Sequence, residues 1–282
     1  SAQIAVIETQ DIGALTTAQI VALTASQAPG LTSAQLGALS TTQLVALETV
    51  DLAALDAAAM PGFTTAQVAA LTGSQFGALS STQIAAMDNA DVAAFTAGHI
   101  AALTSIQADG LTAGQIGAMT SVQFAAMTTT TLASLDATQI AAIEALDFGT
   151  LSGAQIAAIT TDQISSPTAG QIAALTAAQI PSLTAGQIAN LTNTQIAAIE
   201  VNDLALFDAT QIGALTATQA PALTTAQVQG LTTAQFQALE TADLAAFTAG
   251  QIAAIQNEDI AVLSGAQIGG LTAAQVQALT VT

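Results

Sequence analysis

Apolar side chains return in two columns along this chain. Cut into blocks of eight from Ser1, the fourth position of every block is Ile, Leu, Val, Phe, Met or Ala. The seventh is equally apolar, with Pro167 its one unusual occupant. All eight Phe fall in these two columns, which marks them as core. The columns are separated alternately by three and five residues. Both intervals are odd, so one continuous strand would throw them onto opposite faces. A continuous α-helix fails too, because eight residues turn about 800° and the stripe would drift ~80° per block. The chain must break direction once in every octad.

The polar positions supply the break. Position 8 is Thr, Ser, Asp or Glu in every octad but the one ending at Gln256, and position 3 of the next octad is usually Gln. Thr-x-x-Gln is a capping box, in which the hydroxyl accepts the backbone N–H three residues on and the Gln reaches back. With Thr as N-cap, the apolar residues of positions 7 and 4 stand where a hydrophobic staple would put them. Ala at positions 5 and 6 continues a short helix. The fold predicted is an all-α solenoid of very short helices, one per octad. The alternative is a β-solenoid turning at Thr-x-x-Gln, against which the Ala content and the 3/5 spacing argue. Pro29, Pro61, Pro181 and Pro221 all occupy position 5. Proline there removes one of the few α-type bonds so short a helix can make, so those octads hold a single turn, of 3₁₀ type, or an extended piece.

Thirty-five octads run from residue 1 to 280 without insertion or deletion, and residues 1–282 are expected to form a single elongated repeat domain. No octad folds alone. Burying its Ile and Leu yields about 4–6 kcal/mol, whereas ordering eight backbones costs about 8–16 kcal/mol. Stability must come from stacking. Octads 1 and 35 are ordinary repeats, so their apolar columns predict self-association, end to end or side by side.

Charge narrows the function. There is no Lys or Arg, 19 acids, one His, and a formal net charge of −19. Such a chain cannot neutralise phosphates, which excludes nucleic acid as a partner. Apolar runs are too short for membrane insertion. The absence of Cys removes thiol chemistry. His99, in a position-3 seat, lacks the partners of a base or metal ligand and reads as a stand-in for Gln. No nucleophile can be named among the many Ser and Thr, and no enzyme is expected.

The acids are ordered. Asp replaces Gln at position 3 in Asp11, Asp51, Asp91, Asp147, Asp203, Asp243 and Asp259. Glu8, Glu48, Glu144, Glu200 and Glu240 stand three residues before five of these, with Asp88 before Asp91 and Gln256 before Asp259. Asp56 and Asp208 add a third carboxylate to two clusters. The pairs recur at intervals of 5, 5, 7, 7, 5 and 2 octads, which a coil of about 2.4 octads per turn would gather along one edge. Two readings follow. Each pair is a variant capping box favoured by the helix dipole, or the column of Glu8, Asp11, Glu48, Asp51, Asp56, Glu144, Asp147, Glu200, Asp203, Asp208, Glu240 and Asp243 binds Ca²⁺. No other cofactor is expected.

The unit L-T-x-x-Q-[IV]-x-x-L resembles the Ala/Thr/Gln-rich short repeats of very large secreted surface and matrix proteins of Gram-negative bacteria. That resemblance implies an extracellular or cell-surface stalk or matrix segment. The string L-T-x-x-Q-V, as in Leu271–Val276 and its variant Phe63–Val68, is also similar to the helix start of transcription activator-like effector repeats. That family uses a much longer repeat and turns cationic residues to DNA, so its function does not carry over. The function expected is structural: a stalk, matrix or filament-forming solenoid. The alternative is a binding module, an adhesin presenting a regular Thr/Gln face to glycan.

Overall fold

A computed structural model describes residues 2–279. Its contacts group into two units, Ser1–Ile143 and Glu144–Thr282. Among the described residues, the first unit holds sixteen α-helices and two 3₁₀-helices, and the second fourteen and two, with no strand in either. Each helix has three to six residues and occupies one octad. The all-α solenoid of very short helices is the observed architecture.

The caps explain where each helix starts. Before octad 15, Thr112 is extended (φ −76°, ψ 158°) and its Oγ1 accepts from Gln115 N, while Gln115 Oε1 accepts from Thr112 N at 2.8 Å. The helix Ala113–Ala118 then closes, and the extended Met119 at position 7 ends it. Proline decides the exceptions. The four 3₁₀-helices, Ala28–Gly30, Ala57–Gly62, Ile180–Ser182 and Ala220–Ala222, each contain one of the four position-5 prolines. Without its N–H that residue cannot make the α-type bond, and the tighter i→i+3 turn takes over.

Position 4 is buried in every octad from Ile4 to Ile252, and position 7 from Leu31 to Ile255. The two columns line the core of each unit. Helices pack on those three octads away: in the first unit Asn89–Ala93 on Ala113–Ala118, in the second Val201–Leu204 on Thr225–Gly230. Side-chain hydrogen bonds reach four octads back, as from Gln115 to Ile84 and from Gln227 to Ile196. One turn therefore contains between three and four octads, which corrects the expected 2.4. With such a turn, steps of five or two octads never complete whole turns, so within each unit the acidic pairs do not all line one edge.

Small residues at positions 5 and 6 allow the turns to approach. A methyl group on Gly110 would sit 2.5 Å from the carbonyl oxygen of Ser81.

Candidate functional site

The recurrent polar feature of each unit is a ladder of buried amides. The Gln of position 3 does more than close its capping box. Gln115 Nε2 donates to the carbonyls of Ile84 and Met87, each at 2.8 Å, 31 and 28 residues earlier. Gln67, Gln107 and Gln139 repeat this in the first unit, and Gln187, Gln219 and Gln251 in the second, each to the position-4 and position-7 carbonyls four octads back. One amide thus ties its own helix start to the preceding turn. Its oxygen takes a cap N–H, and its two N–H groups take two carbonyls that terminate an earlier helix. Each of these Gln side chains is buried, so each bond satisfies a group that water cannot reach.

Three residues show how strictly the seat is used. His99 replaces Gln as the sequence suggests: its Nδ1 accepts from Thr96 N and its Nε2 lies 2.8 Å from Leu71 O. Thr131 donates Oγ1–H to Leu103 O at 2.9 Å. Gln256, the one uncommon residue at position 8, donates Nε2 to Gln229 O at 2.8 Å. The amide there has moved to the cap, three residues before the Asp259 that cannot donate.

The acidic pairs behave differently. Glu8, Glu48, Asp88, Glu144, Glu200, Glu240 and Gln256 all stand at N-caps, and none makes a side-chain cap hydrogen bond. The reciprocal box is incomplete: the N-cap half is missing, although Asp91 and Asp243 still accept their cap N–H. Repulsion within each acid pair opposes the reciprocal box that Thr and Gln form. Asp51, Asp91, Asp147, Asp243 and Asp259 are buried, Asp203 is half-buried, and Asp11 is exposed. Asp56 and Asp208 are spent elsewhere, as caps accepting from Ala58 N and Gln211 N. Among the described residues no group of three or more His, Asp or Glu side chains comes together to hold a metal ion. The structure brings together Glu48 with Asp51, Glu200 with Asp203 and Glu240 with Asp243.

Burial, and next the neighbouring acid, push up the carboxyls of Asp51 (beside Glu48), Asp203 (beside Glu200) and Asp259 (beside Glu258). Asp91 and Asp243 are raised to about 6 by burial first and then by Asp88 and Glu240, against the opposing pull of a backbone N–H.

A hollow of about 430 Å³ in the first unit is lined by Pro29, Thr32, Ser33 and Asp56 with several alanines. Its one titratable group, Asp56, is already a cap. Sequence reasoning found the cap half of each Gln and missed the ladder half, because the carbonyls it reaches lie 28 to 31 residues away.

Comparison with known families bears on the octad itself. A family model described as the ALTTAQ repeat matches residues 4–41, 44–81, 84–121, 140–177, 196–233 and 252–282. The chain belongs to the ALTTAQ repeat family. Each matched ALTTAQ segment begins four residues before a cap whose position 3 is Asp: Glu8, Glu48, Asp88, Glu144, Glu200 and Gln256. These six pairs therefore mark the starts of matched segments, spaced five octads apart at first and seven thereafter, while the Glu240–Asp243 pair starts none. No curated protein matches this ALTTAQ chain. No helix among the described residues is long and apolar enough to cross a membrane.

Proposed function

We propose that this chain is a structural protein, a stalk, matrix or filament element of the cell surface or extracellular space, without catalytic activity. One observation carries the reading: the Gln, His and Thr of position 3 give their donors to the chain's own carbonyls, so the buried polar chemistry serves cohesion. Two others support it. The hydroxyls of position 8 are largely consumed as caps, and a chain without Lys or Arg repels anionic partners. The octad ladder is open-ended in principle, which suits self-association end to end or side by side.

Val50, Ile106 and Val122 favour a second reading. They are 58, 76 and 67% exposed at position 2 of their octads, where a binding module would present them to a glycan or a surface. Negative-stain electron microscopy with light scattering over a concentration series, with and without Ca²⁺, tests both. Filaments or bundles are expected. A monomer at every concentration that binds a glycan array favours the second reading, and a monomer that binds nothing sinks both.

A further inference from the structure

Outside the Asp octads and the buried Ala59, position 3 is a donor seat. Gln, His99 and Thr131 share no chemistry beyond an N–H or O–H, and each gives it to the position-7 carbonyl four octads back. Asp51, Asp91 and Asp243 occupy the same seat and are 1, 3 and 2% exposed. In Asp91 and Asp243 the carboxyl accepts its own cap N–H, from Asp88 and Glu240, as a Gln oxygen would. The Oδ2 atom of all three is buried without a hydrogen-bond partner. The repeat register sets them toward the carbonyls of Leu23, Phe63 and Leu215, where the Gln, His and Thr octads place a donor. An ionised carboxylate has none to offer, so acceptor faces acceptor. Thr131 has a shorter side chain than Asp and still reaches its carbonyl at 2.9 Å. A proton on Oδ2 would close the rung with no intervening ion.

We propose that Asp51, Asp91 and Asp243 are proton-locked rungs: protonated, each donates O–H to the carbonyl four octads back and completes the ladder; ionised, each opens it. The raised carboxyls of Asp91 and Asp243, at about 6, and of Asp51 agree with this. The surroundings contain little else to titrate. Asn89–Ala93 packs on Thr65–Ala70 and Ala113–Ala118, Thr241–Ala246 on Ala220–Ala222 and Gly265–Gly269, and Thr49–Ala54 on Ala28–Gly30 and Gly73–Ala78. None of those six partners has an ionisable side chain. Asp88, Glu240 and Glu48 precede the three on their own helices, and Asp56 and Asp208 cap the helices four octads before Asp91 and Asp243. The sign follows. A carboxyl raised by folding contributes fully below its unfolded pKa near 3.8, and that contribution is lost as pH rises to about 6. The protein tightens in acid.

Thermal melts at about pH 7.5 and about pH 5, in enough salt to screen surface repulsion, compare the native chain with D51N/D91N/D243N. Asn keeps the oxygen for the cap and supplies the missing N–H. The native chain is expected to melt several degrees higher at the lower pH, and the variant to change little. Equal shifts in both, or no rise in the native chain, overturn the proposal. So does Ca²⁺ that reproduces the acid gain at neutral pH and loses it to chelator, since a cation then fills the rung. If the variant fails to fold, carboxyl ¹³C titration of the native chain decides: Asp91 and Asp243 titrating near 6 and Asp51 above the usual carboxylate range are expected, and none above the usual range overturns it.

Discussion

His99 Nε2 lies 2.8 Å from the carbonyl oxygen of Leu71, 28 residues before it, in the place of a glutamine amide. The imidazole also stacks on Phe76, 4.9 Å between centroids and 10° between planes. A Gln here would gain a second bond, to Val68 O, and lose the stack. His99→Gln should therefore change stability by less than about 1 kcal/mol. His99→Ala leaves the Thr96 N–H and the Leu71 carbonyl unpaired and should cost roughly 2–4 kcal/mol. Urea unfolding of the two variants checks the contrast, and equal losses would remove the donor role.

Gln115 tests the ladder where it is complete. Gln115→Ala breaks one bond from Thr112 N and two to Ile84 and Met87, and should cost about 3 kcal/mol or more. Gln115→Glu keeps the cap acceptor and places a carboxylate against two carbonyls. It should be strongly destabilised near pH 7.5 and recover in acid, because only the protonated form can donate. A pH-independent loss in the Glu variant would show that the carbonyls do not need a donor.

Glycines separate close packing from open space. Gly110→Ala drives a methyl against Ser81 and should destabilise by roughly 1–3 kcal/mol. Gly77, inside Gly73–Ala78, has nothing within 4 Å of the position a Cβ would take, so Gly77→Ala should stabilise by about 0.5–1 kcal/mol. Melting temperatures moving the same way in both would contradict the stated spacing of the turns.

Because the Thr-x-x-Gln octads repeat the same cap and ladder contacts, such whole octads should be exchangeable. Deleting Ala185–Thr192 re-pairs Gln195, Gln211 and Gln219, whose ladder partners lie across or within the deleted octad, with equivalent carbonyls one octad earlier, and circular dichroism should keep its helical signal with a modest fall in melting temperature. Deleting only Ala185–Ile188 shifts the core columns against the caps and should abolish cooperative unfolding.

The local half of this structure was legible in the sequence. Thr112 and Gln115 lie three residues apart, so cap, box and staple could be read directly, and Ile116 and Met119 declared themselves as core by recurrence. Pro61 likewise announced a break in the α pattern, and of the two readings it allowed the structure shows the 3₁₀ turn. The half carried by the turn was hidden. Nothing near Gln115 marks Ile84 or Met87 as its partners, and the reach of that side chain fixes the number of octads per turn. Reading the acid pairs as an edge marker gave 2.4 instead of a value between three and four. The pairs also looked like caps, yet Glu48 and Asp51 carry like charges where Thr and Gln carry complementary dipoles. Gln256 was visible only as an exception, and its bond to Gln229 gives the reason.

The reach of the glutamines has a kinetic consequence. No described hydrogen bond joins residues more than 31 apart, so the contact order of so long a chain is low. A segment of four to five octads already contains every type of contact the protein makes. Folding can begin wherever one such segment closes, and then advance one octad at a time in either direction. An emerging chain need not wait for its far end: the part already free can become native while the remainder is still unfolded.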